Sequence, residues 1–301
     1  MIKKDVKRVN VKNLKERKSK GMRLKKIVQI LVTAAFVLFF GIFEVSMGYV
    51  IDGDVSDWGI DLSDASSKGY LDTHLPSGGL DIDYVTEDNA STAINPDRGD
   101  YWWKVGPLWS VYNYFDAEAI YFDNDSNYAY IAIIQGLPKA GDDPPGNPVD
   151  GDDSYAFKPG DIAIDADNNP GTGEYGYEFG LDISDGSLYS EIEWKEVYYD
   201  DASISNPWAI KAGTEKGTVS FVYGTETNSH YVLEAAIPLH LLGLDANTAH
   251  SLRIHWTQEC GNDYLTLNAD VNPVPEPGTL FLLGTGLIGL ASIGRKTLKK
   301  F

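Results

Sequence analysis

The chain has one cysteine, Cys260, so no internal disulfide can form. That leaves both oxidising and reducing compartments open. Helical periodicity is almost absent between residues 49 and 272, which argues against a helix bundle or a doubly wound α/β fold. Positive charge is also scarce there, with 9 Lys/Arg against 40 Asp/Glu. A field of that sign repels phosphate, so nucleic acid is excluded as a partner of this stretch and cations are favoured. No nucleophile elbow with a Ser/His/Asp order is present, nor a His-Glu-x-x-His zinc motif, nor a glycine loop that would cradle phosphate. Cys260, in "HWTQECGND", reads as a small buried hydrophobe rather than a nucleophile. Acidic residues are so numerous that a pair at glycosidase spacing would arise by chance. The expectation is a protein without catalytic residues.

The charge divides the 301 residues into three parts. Residues 1–48 carry 12 Lys/Arg and 3 Asp/Glu, residues 273–301 carry 4 and 1, and the acidic middle outweighs both to leave a net −19. Strong acidity alone can signal disorder. Here the acidic part is studded with Tyr, Trp, Phe and Ile in short alternating runs, so it is read as folded, with its charge on surface and loops.

Both ends read as addresses. In "MRLKKIVQILVTAAFVLFFGIFEVSMG", Arg23, Lys25 and Lys26 precede an apolar span from Ile27 to Phe43, and Ser46 and Gly48 are small residues at −3 and −1. This is the layout of a secretory signal, with signal peptidase expected to cut after Gly48. An uncleaved anchor is the alternative, because a run of 17 sits at the lower limit for spanning a bilayer. Residues before Met22 are an extended basic region or a misassigned start. At the other end, Thr279 to Ile293 is an apolar run broken by Gly284, Gly286 and Gly289 and followed by Arg295, Lys296, Lys299 and Lys300. It forms a weak transmembrane helix whose basic end stays cytoplasmic. Val274-Pro275-Glu276-Pro277, this glycine-bearing segment and the basic cluster together resemble the PEP-CTERM sorting signal of Gram-negative bacteria. The resemblance implies recognition by an exosortase, cleavage near Pro275, Glu276 and Pro277, and passage to the cell surface or extracellular matrix. A plain tail anchor is the alternative.

The runs between these ends include "YAYIAII", "DIAIDA", "TVSFVYG" and "HYVLEAAIPL", rich in β-branched and aromatic residues and bounded by Gly, Asn, Asp and Pro. They predict an all-β fold, an antiparallel β-sandwich over residues 49–272, flanked by the N-terminal signal helix (1–48) and the C-terminal sorting helix (273–301). Leu252, Ile254 and Trp256 share one strand face, with Arg253 and His255 on the other. Pro238 to Leu244 reads as a short helix or turn. Ile51-Asp52-Gly53 with Asp57-Trp58, and the later "EAAIPLHLLGL", are similar to the family 9 carbohydrate-binding modules and the wider DOMON-like (jelly-roll) sandwiches. The resemblance implies sugar or, in other members, haem as ligand. His74, His230, His240, His250 and His255 show no paired arrangement suited to haem.

The sharpest local chemistry is "GDIAIDADNNPGTGEYGYEFG". Asp165, Asp167 and Asn169 offer oxygens at alternate positions, and Gly171 and Gly173 let the backbone turn inward. Hard oxygen ligands at this spacing suit Ca²⁺, although the glycine register and Gly176 at the twelfth position depart from an EF-hand. Glu174 or Asp161 would complete the set. Asp123 to Asn127 has the same alternation but reads as a hairpin turn. For carbohydrate, the candidates are Trp102, Trp103, Trp109, Trp194 and Trp208, because indole faces stack on sugar C–H while carboxylates accept hydroxyl hydrogen bonds. Core burial is the competing reading for each. The expected function is thus an exported, sorted surface protein that binds exopolysaccharide, with calcium holding its loops. The alternatives are a structural or adhesive matrix protein without a sugar site, and a secreted glycoside hydrolase or lyase.

Overall fold

The computed structural model describes residues 48–65, 69–77, 81–87, 116–141, 156–198, 204–261 and 263–273. Eleven strands lie within them. In chain order they are β1 (Asp83–Thr86), β2 (Ala117–Asn124), β3 (Tyr128–Gln135), β4 (Ile162–Asp165), β5 (Phe179–Leu181) and β6 (Ser187–Lys195), then β7 (Ala209–Thr218), β8 (Ser220–Tyr223), β9 (Tyr231–Pro238), β10 (His250–Thr257) and β11 (Tyr264–Val271). They form a five-stranded sheet in the order β1-β2-β3-β9-β8 and a six-stranded sheet in the order β11-β10-β4-β5-β6-β7. All pairings are antiparallel.

The sheets face one another across an apolar core, so the fold is the expected all-β sandwich. Ile120, Phe122, Ile131, Ile133, Leu233 and Ile237 come from the first sheet and meet Ile162, Ile164, Leu181, Leu252, Ile254, Trp256 and Leu267 of the second. Each large side chain removed from water here contributes about 1.5–3 kcal/mol. The alternation read in β10 places Leu252, Ile254 and Trp256 in this core. Asp123 to Asn127 is a hairpin turn: Asp125 Oδ1 accepts from the amides of Asn127 at 2.7 Å and Tyr128 at 2.8 Å, closing the link between β2 and β3. Leu239–Leu242 forms a 3-10 turn capped by Gly243 at φ 72°, a left-handed conformation that glycine adopts without strain.

β3 and β9 are buried on both faces. The outer side of the first sheet, bearing Tyr130, Ala132, Ile134, Val232 and Ala236, is covered by the segment that carries Val55, Trp58, Ile60, Leu62 and Leu71. Glu234 sits under this cover, fully buried. Its carboxylate accepts from the amides of Gly53 at 2.7 Å and Asp52 at 3.1 Å, and from Trp58 Nε1 at 3.0 Å. Gly53 has φ 82°, and a Cβ there would lie 2.6 Å from Gly224 Cα, so the turn needs glycine twice over. The Ile51-Asp52-Gly53…Asp57-Trp58 pattern is therefore a clasp that fastens the first described residues to β9. Burial pushes the Glu234 carboxyl up to about 7, against the lowering effect of those three donors.

Among the described residues no helix is long and apolar enough to cross a membrane. The expected signal helix and sorting helix lie outside the described residues. So do Trp102, Trp103 and Trp109, and Pro275, Glu276 and Pro277 of the sorting signal.

Candidate cation site and its cleft

The β4–β5 connection is where the acidic loop gathers carboxylates into a candidate site. β4 ends at Asp165 and β5 begins at Phe179, with Ile164 paired to Phe179 in register. That pairing brings Glu178 alongside the start of the loop. One carboxylate oxygen from each of Asp165, Asp167 and Glu178 falls within 4.8 Å of the others. Ca²⁺ binds oxygen at 2.3–2.6 Å, so its ligands stand no more than about 5 Å apart and this spacing fits a single ion. The loop is held in shape by its own hydrogen bonds. Asn169 N donates to Asp165 Oδ1 and to Asp167 Oδ1, both at 3.0 Å, Thr172 Oγ1 donates to Asp167 Oδ1, and Ala166 N donates to Glu178 Oε2.

Asp165 is buried, and burial raises its carboxyl above the usual carboxylate range. Asn169 N and the Arg253 guanidinium act in the other direction. Arg253 Nη2 lies 3.1 Å from Asp165 Oδ2, and its planar group stacks over the Tyr177 ring at 4.7 Å. This cation fixes the buried end of the cluster, while Asp167 stays exposed. Asp167 and Glu178 also line an open cleft of about 430 Å³ with Phe179, Leu242, Leu244, His250 and Ser251. Its walls join apolar faces to polar donors and acceptors, the mixture that small polar ligands need.

The other expected ligands stand elsewhere. Asn169 points its Oδ1 at the Gly171 amide and shapes the turn. Glu174 Oε2 accepts from the Trp194 amide at 2.8 Å, tying the loop to β6. Asp161 is buried, with its two oxygens accepting from the amides of Ile183 at 3.0 Å and Ile210 at 2.8 Å. Burial raises its carboxyl to about 7 in spite of both bonds. Its role is to join β7 to the segment after β5. Glu178, which reading along the loop passed over, takes the position expected of Glu174 or Asp161. A hairpin register pairing Asp165's strand with "YEFG" is the signal that points to it.

Trp194 is buried on the outer side of the six-stranded sheet and Trp208 in a separate cluster just before β7, and neither presents a ring for stacking. Trp194 lies with Ala163, Tyr177 and Ile192, its ring over Gly180, where a Cβ would come within 2.6 Å of Trp194 Cη2. Trp208 packs with Val197 and Ala209 beneath the Lys195 ammonium, 5.1 Å from the ring. A half-buried sheet face needs large side chains, and Trp194 supplies one. His255 is also interior: Nε2 contacts Ser205 O at 2.8 Å and Nδ1 contacts Thr266 Oγ1 at 3.0 Å, which suits a neutral ring donating through Nε2. Burial lowers its pKa to about 4. Cys260 is buried, as expected of a small hydrophobe.

At the N-terminal edge the described residues begin with Gly48. Tyr49 stacks on Trp58 at 3.8 Å and donates its hydroxyl to Asp123 Oδ2 at 2.7 Å.

Comparison with known proteins finds the PEP-CTERM protein-sorting motif at residues 273–296. No curated protein matches the chain, and no solved structure does. The likeness of the opening residues to family 9 modules and DOMON-like sandwiches therefore has no counterpart among the matches.

Proposed function

We propose, from the premise that this chain carries a PEP-CTERM sorting motif and is an exported, exosortase-processed surface protein, that its β-sandwich binds carbohydrate without chemically altering it. Signal peptidase cuts after Gly48 and exosortase acts near Pro275 to Pro277, so the membrane contact through the C-terminal helix is transient. The ligand class is exopolysaccharide at the cell surface or in the extracellular matrix. Ca²⁺ binds at Asp165, Asp167 and Glu178.

The observation that carries this reading is the placement of those three carboxylates, within 4.8 Å of one another, on the wall of a cleft of about 430 Å³. A cation there offers open positions to sugar hydroxyls, and the half-buried Phe179 supplies an apolar face for sugar C–H groups. The test is retention of the producer's exopolysaccharide by the purified chain, with calcium and with chelator. Saturable binding that is lost with chelator and in Glu178→Gln supports the reading. Trp102→Ala and Trp103→Ala ask separately whether the aromatic stretch contributes.

The burial of Trp194 and Trp208 favours a second reading, a structural or adhesive matrix protein in which acidity and calcium do the bridging. Its signature is stability that responds to chelator with no saturable polysaccharide effect. A hydrolase or lyase comes third. Glu234 and Asp161 have the raised pKa of acid catalysts, but their oxygens hold backbone amides in the interior. Polysaccharide turnover lost on a single Asp or Glu substitution would overturn both binding readings.

A further inference from the structure

Four acidic side chains meet at the opposite end of β10 from the calcium loop. Arg253, near the start of that strand, pairs with Asp165, whereas its end at Thr257 pairs with Tyr264, next to Asp263. There the first sheet contributes Glu87, one residue beyond β1, Asp116, one residue before β2, and Glu118 within β2. The backbone brings them together: Glu87 N donates to Glu118 O at 2.8 Å, and Ala117 N donates to Asp263 Oδ2 at 2.9 Å. Asp116, Glu118 and Asp263 are buried and Glu87 is half-buried.

Glu118 already has a partner, since its Oε2 lies 2.5 Å from His230 Nδ1 and the other ring nitrogen contacts Ala65 O. Glu87, Asp116 and Asp263 each point one oxygen to within 4.8 Å of the others. A second observation sets this apart from ordinary surface acidity. Asp116 is 3% exposed, and its Oδ1 has no hydrogen-bond partner among the described residues. A buried carboxylate oxygen left bare is destabilising. A divalent cation removes that penalty.

We propose that Glu87, Asp116 and Asp263 form a second, buried divalent-cation site, suited to Ca²⁺, that ties the end of β1 and the start of β2 to the start of β11. The ligands are all hard oxygens, and their spacing accommodates Ca–O distances of 2.3–2.6 Å. Glu87 and Asp116 are separated by 28 residues of sequence, and the ion would hold the two described positions together. This site does not depend on the calcium loop or on carbohydrate binding.

The test uses the full chain in detergent, stripped with EDTA and titrated with CaCl₂ alone, reading ion stoichiometry by equilibrium dialysis and melting temperature by scanning fluorimetry. Wild type, Asp116→Asn, Glu87→Gln and Asp167→Asn are compared. Asp116→Asn is expected to bind one ion fewer than wild type. At calcium 100-fold above Kd, an intact site raises Tm by about 5–10 °C, and that rise should shrink in the variant. Glu87→Gln changes the half-buried ligand, should weaken this site about tenfold, and reads the same site if Asp116→Asn does not fold. Asp167→Asn reports on the calcium loop alone, so loss in the Asp116 and Glu87 variants with no loss in the Asp167 variant supports this site and counts against the loop. Unchanged stoichiometry and affinity in Asp116→Asn, or in Glu87→Gln if the former does not fold, would mean that the cluster holds a shared proton instead of a metal and would overturn the proposal.

Discussion

Glu234 offers a prediction whose size follows from its contacts. In the folded chain its carboxyl is raised from the usual 4.5 to about 7 by burial. The folded state therefore holds a proton between those limits that the unfolded state has released. Stability from this group is fully present below about pH 4.5 and is lost as pH rises through about 7. A pKa displacement of that size is worth about 3 kcal/mol. Glu234→Gln removes the titration, but its amide nitrogen cannot accept a hydrogen bond, so with its carbonyl toward Gly53 N and Asp52 N it leaves the buried Trp58 Nε1 without an acceptor, at about 1–3 kcal/mol independent of pH. It should therefore be less stable than wild type by that amount near pH 4.5 and regain about 3 kcal/mol relative to wild type by pH 8. Glu234→Ala behaves differently, because it strips the acceptor from Gly53 N, Asp52 N and the buried Trp58 Nε1. At about 1–3 kcal/mol for each donor left dry, and with some water reaching the two amides, it should cost about 3–6 kcal/mol at pH 4.5. Urea unfolding of the three proteins at pH 4.5, 6 and 8 measures all of this. Parallel pH curves for wild type and Glu234→Gln would refute the buried proton, and an alanine variant within 1 kcal/mol of wild type would refute the clasp.

Other predictions are narrower. Gly53→Ala forces φ 82° on a side-chain-bearing residue and drives Cβ into Gly224, and a loss of about 2–4 kcal/mol in urea melts is expected. Gly180→Ala pushes against Trp194 and Ile192 and should lower stability by about 1–3 kcal/mol in urea melts, and an unchanged midpoint would count against the close seat of the ring on Gly180. Asp161→Asn removes a second carboxyl raised to about 7, so the fall in wild-type stability between about pH 4 and pH 7 should flatten in this variant too, as pH-dependent thermal melts would show. Raising NaCl from 10 to 300 mM should raise the melting temperature of this chain, because screening relieves repulsion among 44 acidic residues, and a flat response would count against that reasoning.

Much of the architecture is local and could be read along the chain. The two-residue alternation of Leu252, Ile254 and Trp256, the turn at Asp123 to Asn127 and the short turn after Pro238 each depend on neighbours within a few residues. What escaped was set by distant segments. In "HYVLEAAIPL" the alternation marks Glu234 for the outer face, and nothing local announces that residues carrying Trp58 and Leu71 cover it. Glu178 was hidden for a similar reason, since its place beside Asp165 and Asp167 depends on strand register rather than on loop spacing. Trp194 is enclosed because Gly180, fourteen residues earlier, leaves room for its ring. Aromatic content alone cannot separate a stacking platform from a sheet face that packs on itself.

The central claim is that a folded sandwich is delivered to the surface and its two addresses are removed. Intact-mass analysis of this chain, recovered from the extracellular polysaccharide fraction and from membranes of producer cells with and without exosortase, tests it most directly. With exosortase present, the account predicts a chain in the polysaccharide fraction that begins at Tyr49 and ends near Pro275 to Pro277. Without exosortase, the chain should stay in the membrane with residues 278–301 attached. Full-length chain in the membrane of both strains, or secretion with the C-terminal segment intact, would contradict it.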